Sequence, residues 1–124
     1  MKYFIGFDVG STKTHALIVD ESGKCVGLGR AGGGNYQAVG YDGLKAALRD
    51  SLAAALRMSG IGKAQLAGAG FGIAGYDFPS DRQAHLQAIA SLGLSCPLEV
   101  FNDGLNGLLA GATRGVGVIV TAGS

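Results

Sequence analysis

The sequence predicts an α/β domain built on one mixed sheet, in which three antiparallel strands are followed by parallel βα units. Two observations lead to this fold class. Up to Arg30 the chain consists of short apolar, β-branched segments joined by brief turns, and beyond it helical periodicities alternate with Gly-rich apolar runs. Strands joined by short turns pair antiparallel, whereas strands separated by a helix pair in parallel. Both kinds of pairing are therefore expected in one sheet.

The N-terminal strands are rich in apolar and β-branched residues. We expect them at Tyr3–Phe7, Lys13–Asp20 and Cys25–Arg30, each bounded by turn-forming residues. Residues 21–24, with the sequence ESGK, form the turn between the second and third strands. The three strands should therefore make an antiparallel meander.

The rest of the chain is predicted to hold three helices and three strands. Leucine and alanine recur at helical spacing from residue 40 to residue 59 and predict an amphipathic helix that ends near Gly60. The next elements are expected as a strand at Leu66–Ala74, a helix from Pro79 to Leu92, a strand at Pro97–Phe101, a helix from Asp103 to Thr113 and a strand at Gly117–Thr121. This order of elements is the pattern of a ribonuclease H-like lobe.

Length and composition argue against several classes of protein. Of the 124 residues 48% are hydrophobic, which supports a globular domain with a core. The formal net charge of +1 comes from scattered Lys and Arg, so nucleic acid is not an expected partner. No apolar run approaches the ~20 residues of a membrane helix, so no membrane is expected as a partner. Cys25 and Cys96 lack a CxxC spacing, which favours reduced thiols and a cytoplasmic protein over a zinc site.

The segment Phe4–Asp20 carries the strongest functional signal, because a strand, a Gly/Ser/Thr turn and a second strand follow one another directly. The phosphate loops GxxxxGK[ST] and GxGxxG both open onto a helix. The residues after this turn are β-branched and apolar, so neither loop type fits. We instead predict a β-hairpin that cradles phosphate on the backbone N–H groups of its turn.

Each residue of this hairpin turn has an expected role. Gly10 allows close backbone approach, and the predicted phosphate-binding residues are Gly10, Ser11, Thr12, Lys13 and Thr14. Three of them contribute hydroxyl donors and Lys13 contributes charge. Asp8, at the end of the first strand, is expected to hold Mg²⁺ through water. The alternative is an ordinary hairpin whose Gly-Ser pair makes the turn.

Polar or glycine residues also follow two later strands. A ligand bound to an open α/β sheet lies beyond the carboxyl ends of its strands. Asp8, Gly75 and Asp103 are all expected at that edge. This convergence favours a phosphate-binding role for the turn at residues 10–13 over the alternative of an ordinary hairpin.

Five motifs in order resemble one protein family over essentially the whole chain. They are DVGSTKT at 8–14, NY at 35–36, GIAGYD at 72–77, FND at 101–103 and VIVTAGS at 118–124. Together they resemble the N-terminal part of the N-acetylglucosamine kinase and glucosamine kinase family. This family belongs with the benzoyl-CoA reductase activase type of ATPase in the sugar kinase, Hsp70 and actin superfamily. The resemblance thus implies an actin-like ATPase lobe.

The resemblance implies a protein of two lobes that bind ATP and a sugar in the cleft between them. Residues 1–114 would form the first lobe, and residues 115–124 the first strand of a truncated second lobe. Gly123 and Ser124 would begin a second Gly-rich phosphate turn. An isolated fragment of this kind is expected to be inactive, and the exposed edge of its last strand would favour a homodimer.

The resemblance also implies the roles of individual residues. Asp103 matches the catalytic acid that accepts the proton of the sugar hydroxyl, and Asn35 matches a sugar-contacting amide. Asp103, Asn35 and Gly75 are therefore the predicted substrate-binding residues. Simpler alternatives remain: Asp103 as a helix N-cap, Asn35 as a residue that tolerates a left-handed turn, and Gly75 as a packing glycine.

Several aromatic and histidine side chains are expected to have no catalytic role. His15 and His85 are interpreted as ordinary surface or strand residues, and Tyr36, Tyr41 and Tyr76 as packing residues whose hydroxyls reach water.

The leading functional hypothesis is an ATP- and Mg²⁺-dependent kinase that phosphorylates an amino sugar, N-acetylglucosamine or glucosamine. The alternative is an ATPase activase of a 2-hydroxyacyl-CoA dehydratase or benzoyl-CoA reductase type enzyme. Activases of that kind hold an iron–sulfur cluster through cysteines. Neither Cys25 nor Cys96 resembles such a ligand, but the missing second half could carry them, so this alternative stays open. A nucleotide-responsive scaffold is a third class, which would need neither Asp103 nor Asn35.

Overall fold

The computed structural model describes residues 1–75 and 81–101. Within them the strands form a five-stranded mixed sheet in the order β3-β2-β1-β4-β5. The elements are β1 (Tyr3–Val9), β2 (Lys13–Asp20), β3 (Cys25–Gly32), α1 (Tyr36–Ser59), a 3-10 turn (Lys63–Gln65), β4 (Leu66–Ile73), α2 (Arg82–Ala90) and β5 (Leu98–Phe101). The predicted α/β fold with a mixed sheet is therefore confirmed.

The pairing within the sheet follows from the connections. The short turns of the meander make β1–β2 and β2–β3 antiparallel. The helical connections make β1–β4 and β4–β5 parallel, because a parallel pair needs a long crossover. The carboxyl ends of β1, β4 and β5 consequently lie at one edge of the sheet.

Helix α1 starts earlier than the predicted boundary at Gly40. The side chain of Asn35 caps a first helical turn by accepting a hydrogen bond from the backbone N–H of Gln37 at 3.0 Å. Gly40 then interrupts the helix with φ +71° and ψ 175°, and the helix continues from Tyr41. The sequence pattern therefore located the longer part of α1 but missed its capped first turn.

The main core lies between the sheet and the two helices. Its largest members include Phe7 and Phe71, which are register partners on β1 and β4 and stack with ring centroids 4.5 Å apart. Leu44, Leu48 and Leu52 of α1 pack onto this cluster. Buried faces of this size supply most of the stability of the fold, and they hold the strand ends at fixed positions.

Two further expectations concern the described residues. No helix within residues 1–75 and 81–101 is long and apolar enough to cross a membrane. Cys25 and Cys96 form no disulfide within the described residues.

Candidate phosphate and substrate site

The turn between β1 and β2, here called the phosphate turn (residues 10–13), is tight and exposed. The backbone N–H of Gly10 donates to the carbonyl oxygen of Lys13 at 2.8 Å and closes it. Ser11, Thr12 and Lys13 are exposed, and the hydroxyls of Ser11 and Thr12 make no hydrogen bond within the described part of the chain. The turn thus offers the hydroxyl donors of Ser11 and Thr12 to solvent, while the N–H of Gly10 is used to close it.

A pocket of about 230 Å³ lies beside the phosphate turn and is lined by Asp8, Gly10, Thr12, Lys13 and His15. Asp8 and His15 are partners across the β1–β2 pair, so their side chains share one face of the sheet. This face is opposite the one that packs on the helices, because Phe7 and Val9 alternate with Asp8 and belong to the core.

The pocket fits a magnesium nucleotide in its chemistry. Mg²⁺ is commonly held by one or two carboxylates, the phosphates of the substrate and several waters, and the pocket holds one carboxylate, Asp8, beside hydroxyl and ammonium donors. No cluster of three or more metal-ligating side chains occurs in residues 1–75 and 81–101. The role of Asp8 as a metal ligand stays a prediction.

Thr14 lies elsewhere than the other predicted phosphate residues. Its side chain is fully buried, and its Oγ1 has no hydrogen-bond partner among the described residues. Strand β2 alternates, so Thr14 shares the core face with Ala16 and Ile18, while Lys13 lies on the exposed side. In this structure the hydroxyl of Thr14 is not part of the pocket.

A glycine-rich segment at the end of β3, residues 32–34, packs against the phosphate turn. The backbone N–H of Gly34 donates to the carbonyl oxygen of Gly10 at 3.0 Å. The chain then passes directly to Asn35, the cap of α1. One short segment therefore connects the predicted phosphate residues with the predicted substrate residue.

Asn35 and Gly75, both predicted to contact substrate, are neighbours in the fold. Gly75 has φ +88°, and a Cβ added to it would lie 2.3 Å from Oδ1 of Asn35. The preceding residue, Ala74, donates its N–H to the carbonyl oxygen of Val9 at 2.8 Å, which holds this segment at the carboxyl end of β1. Asn35 has φ −65° and ψ 112°, so the alternative of a left-handed turn is wrong.

The orientation of the Asn35 amide follows from its cap. The N–H of Gln37 can only donate, so the atom that receives it must be the oxygen Oδ1. The close approach of Gly75 occupies more of the space around the same oxygen. The NH₂ group of Asn35, which makes no hydrogen bond within the described residues, is the part of the amide that could bind a ligand.

Sequence reasoning missed an aromatic cluster that joins the starts of α1 and α2. Tyr36 donates its hydroxyl to Asp81 at 2.9 Å and stacks on Tyr41 with centroids 4.7 Å apart. Both rings meet His85 edge-on. Burial, and then the charges of Tyr36 and Asp81, raise the pKa of Tyr41.

Two expectations about this cluster were wrong. His85 is fully buried rather than a surface or strand residue. The helical spacing of His85 with Ala88 and Ile89 on the buried face of α2 is the signal that could have shown it. The hydroxyl of Tyr36 reaches Asp81 rather than only water.

Asp103, Gly123 and Ser124 lie outside the described residues. The described strand before Asp103 ends at Phe101, which is the register partner of Gly72. Gly72 is in turn the partner of Asp8. Asp103 follows Phe101 by two positions in the sequence, and its role stays a prediction.

The chain was compared with known proteins. The model of the BadF/BadG/BcrA/BcrD ATPase family matches residues 5–124. A search of curated proteins found no match.

Solved structures share the fold at low sequence identity. A protein of Chromobacterium violaceum provisionally assigned as an N-acetylglucosamine kinase aligns with a TM-score of 0.65 and 23% identity over 93% of this chain. The ethanolamine utilization protein EutJ of Carboxydothermus hydrogenoformans aligns with a TM-score of 0.61 and 22% identity over 82% of this chain. The chain spans 39% and 37% of their lengths, respectively.

Proposed function

Because the chain belongs to the BadF/BadG/BcrA/BcrD ATPase family, we propose that it forms one lobe of an ATP-dependent kinase that phosphorylates an amino sugar. Residues 1–114 would be this lobe and residues 115–124 the start of a second one. The two lobes together are called the two-lobed protein. The kinase-like neighbour, of which the chain spans 39%, supports the division into lobes.

The observation that carries the proposal is the connection between the phosphate turn and Asn35. Gly34 bonds to Gly10 of the turn at 3.0 Å, and the next residue is Asn35. An ATPase that transfers phosphate to water needs no amide for a second substrate beside its phosphate turn. A kinase does, because the acceptor hydroxyl must be held close to the phosphate that it attacks.

The proposed roles divide between the two sides of the site. Bound MgATP supplies the phosphoryl group that is transferred. Ser11, Thr12 and Lys13 donate to phosphate oxygens, Gly10 lets the backbone approach them closely, and Asp8 holds the metal through water. The amide of Asn35 donates to an oxygen of the sugar.

Asp103 is the proposed catalytic base. It accepts the proton of a sugar hydroxyl while the oxygen of that hydroxyl bonds to phosphorus and ADP leaves. The products are a sugar phosphate and ADP, and the proton ends on the carboxylate. Gly75 lets the backbone approach the substrate beside Asn35, and Gly123 and Ser124 would donate to phosphate from the second lobe.

The test is sugar-dependent release of ADP by the two-lobed protein. Glucosamine, N-acetylglucosamine, N-acetylmuramic acid and glucose are compared at equal concentration. We expect ADP release to rise with one amino sugar, and Asp103→Asn to lower kcat by roughly 100-fold to 10,000-fold, the range for loss of a general base.

Asp50→Asn is the matched control, because it removes a carboxylate whose side chain is 60% exposed on α1. It should leave kcat unchanged. Release of ADP that is independent of every sugar and survives Asp103→Asn would contradict the kinase proposal.

A second candidate function is supported by the family itself, which is described as a family of ATPases. An activase that couples hydrolysis to movement of its lobes would use the same phosphate turn. It would hydrolyse ATP without sugar and would need a partner enzyme for its function, so the same assay separates the two candidates.

A further inference from the structure

The segment 32–34 has a second contact with the phosphate turn besides the bond from Gly34. A Cβ added to Gly33 would lie 1.9 Å from the carbonyl oxygen of Ser11, 2.5 Å from the carbonyl carbon of the same residue and 3.0 Å from the backbone nitrogen of Thr12. Ordinary van der Waals contact begins near 3.4 Å. All three neighbours are backbone atoms, so no rotation of a side chain can relieve the overlap.

Gly32, the last residue of β3 and the register partner of Lys13, has no such contact. A Cβ added to Gly32 would meet nothing within 4 Å. Neither residue has a positive φ, so the backbone of both accepts alanine without strain. Alanine substitutions at these two adjacent glycines therefore distinguish the steric effect at Gly33 from the general effect of making a Gly-Gly-Gly run less flexible.

We propose that Gly33 is a positioning residue for the phosphate turn. Its bare Cα lets the loop after β3 lie directly against the peptide between Ser11 and Thr12, while the N–H of Gly34 holds the carbonyl oxygen of Gly10. The segment thus fixes the direction in which the donors of the turn point. This inference rests on the proposed function in one respect, the binding of phosphate by the turn.

The expected size of the effect follows from the overlap. A Cβ at Gly33 forces the turn to move by about 1 Å or more. A misplacement of that size at an active site can lower the catalytic rate roughly 100-fold. Donors that bind an anion are sensitive to such a shift because charge-assisted hydrogen bonds are short and directional. The adenosine part of a nucleotide has no contact with the turn in this proposal and should not be affected.

The experiment compares Gly33→Ala with Gly32→Ala in the two-lobed protein. Calorimetry measures the affinity for a magnesium complex of a non-hydrolysable ATP analogue and, separately, for adenosine, with no sugar present. We expect Gly33→Ala to weaken binding of the analogue at least 10-fold and to leave adenosine binding within 2-fold of wild type, on the order of the cited misplacement effect. Gly32→Ala should match wild type with both ligands.

Three outcomes would overturn the proposal. Gly33→Ala could bind the analogue as wild type does, both variants could lose the same affinity, or adenosine binding could fall as much as analogue binding. Equal loss in both variants would indicate that binding depends on the flexibility of the glycine run and not on the contact of Gly33.

A measurement on the wild-type protein covers the case in which Gly33→Ala does not fold. Hydrogen–deuterium exchange is followed for the peptide that spans residues 32–35, with the ATP analogue and with adenosine. Protection of this peptide by the analogue but not by adenosine is expected, because a phosphate on the turn should stabilise the Gly34–Gly10 bond. The absence of such protection would overturn the proposal.

The failure of this inference can be distinguished from the failure of the proposed function. If wild type releases ADP independently of every sugar and this release survives Asp103→Asn, the kinase assignment is wrong, while the Gly33→Ala comparison still decides the role of Gly33. If wild type binds the analogue no more tightly than adenosine, the turn does not bind phosphate and both ideas are wrong. If only the Gly33→Ala comparison shows no effect, the positioning role alone is wrong.

Discussion

The two turns at the ends of β2 both join antiparallel strands, but they satisfy their polar groups in opposite ways. In the turn at residues 21–24 the carboxylate of Asp20 accepts hydrogen bonds from the N–H of Ser22 at 2.9 Å, the hydroxyl of Ser22 at 2.5 Å and the N–H of Lys24 at 3.0 Å. In the phosphate turn the hydroxyls of Ser11 and Thr12 make no bond within the described part of the chain. The turn at residues 21–24 therefore uses its polar groups in internal hydrogen bonds, whereas the phosphate turn leaves the hydroxyls of Ser11 and Thr12 available to a ligand.

The two turns are also supported differently. The turn at residues 21–24 is closed by local bonds, from the N–H of Asp20 to the carbonyl oxygen of Lys24 at 2.9 Å and from the N–H of Gly23 to that of Asp20 at 3.0 Å. The phosphate turn has one local closing bond, from the N–H of Gly10 to the carbonyl oxygen of Lys13, and is also held from outside by Gly33 and Gly34. A turn that binds a ligand must keep the donors that contact the ligand free of internal partners, so part of its rigidity has to come from another part of the chain.

The sharpest test of this comparison changes the hydroxyls of the phosphate turn. We expect the double variant Ser11→Ala/Thr12→Ala to lose affinity for MgATP by about 10-fold or more, because each hydrogen bond to a charged group contributes roughly 1.5–3 kcal/mol. The melting temperature should not change, since both side chains are exposed. Calorimetric titration and a thermal melt measure the two quantities.

Ser22→Ala is the matched control, because it removes a hydroxyl from the opposite turn of the same strand. It should lower the melting temperature and leave nucleotide affinity unchanged, since the Ser22 hydroxyl bonds to Asp20. If the double variant of the phosphate turn lost stability but not affinity, the distinction between the two turns would be wrong.

A smaller effect is expected from Asp20→Ala. The variant removes the acceptor of three hydrogen bonds and leaves their donors to solvent, so the melting temperature should fall while MgATP affinity stays as in wild type. Lys24→Ala is the control, since the bond to Asp20 comes from the backbone N–H of Lys24, which alanine retains. A loss of nucleotide affinity in Asp20→Ala would show that the two ends of β2 are not independent.

Local patterns in the sequence predicted most of the fold. The turn residues, the β-branched strands and the helical spacing of α1 and α2 each depend on neighbours within a few positions. The phosphate role of Thr14 stays a prediction, but the alternation of a strand already groups this residue with Ala16 and Ile18 on the core face.

The support behind the site could not be predicted in the same way. The contact of Gly33 with Ser11 joins positions that are far apart in the sequence and meet only because β3 pairs with β2. The bond between Tyr36 and Asp81 joins two helices across 45 positions. A glycine and a tyrosine have many roles in a fold, so residue type alone does not identify these contacts.

The last prediction concerns the pH dependence of stability, which should reflect the hydrogen bonds of the turn at residues 21–24. The hydroxyl of Ser22, together with the backbone N–H groups of Lys24 and Ser22, lowers the pKa of Asp20 below its ordinary value. A carboxyl whose pKa is lower in the folded than in the unfolded state stabilises the fold above its unfolded pKa, which is about 4. That contribution is lost as the pH falls through the folded pKa.

We therefore expect wild type to melt at a higher temperature than Asp20→Asn at neutral pH, and the difference to shrink below about pH 4. Melting both proteins from about pH 7 to about pH 3 measures this difference and cancels the titration of the other carboxyls. A difference that stays constant over this range would mean that the charge of Asp20 does not stabilise its turn. The difference between the two turns would then depend only on the geometry of their hydrogen bonds, because the side-chain oxygen of an asparagine at this position can accept largely the same bonds.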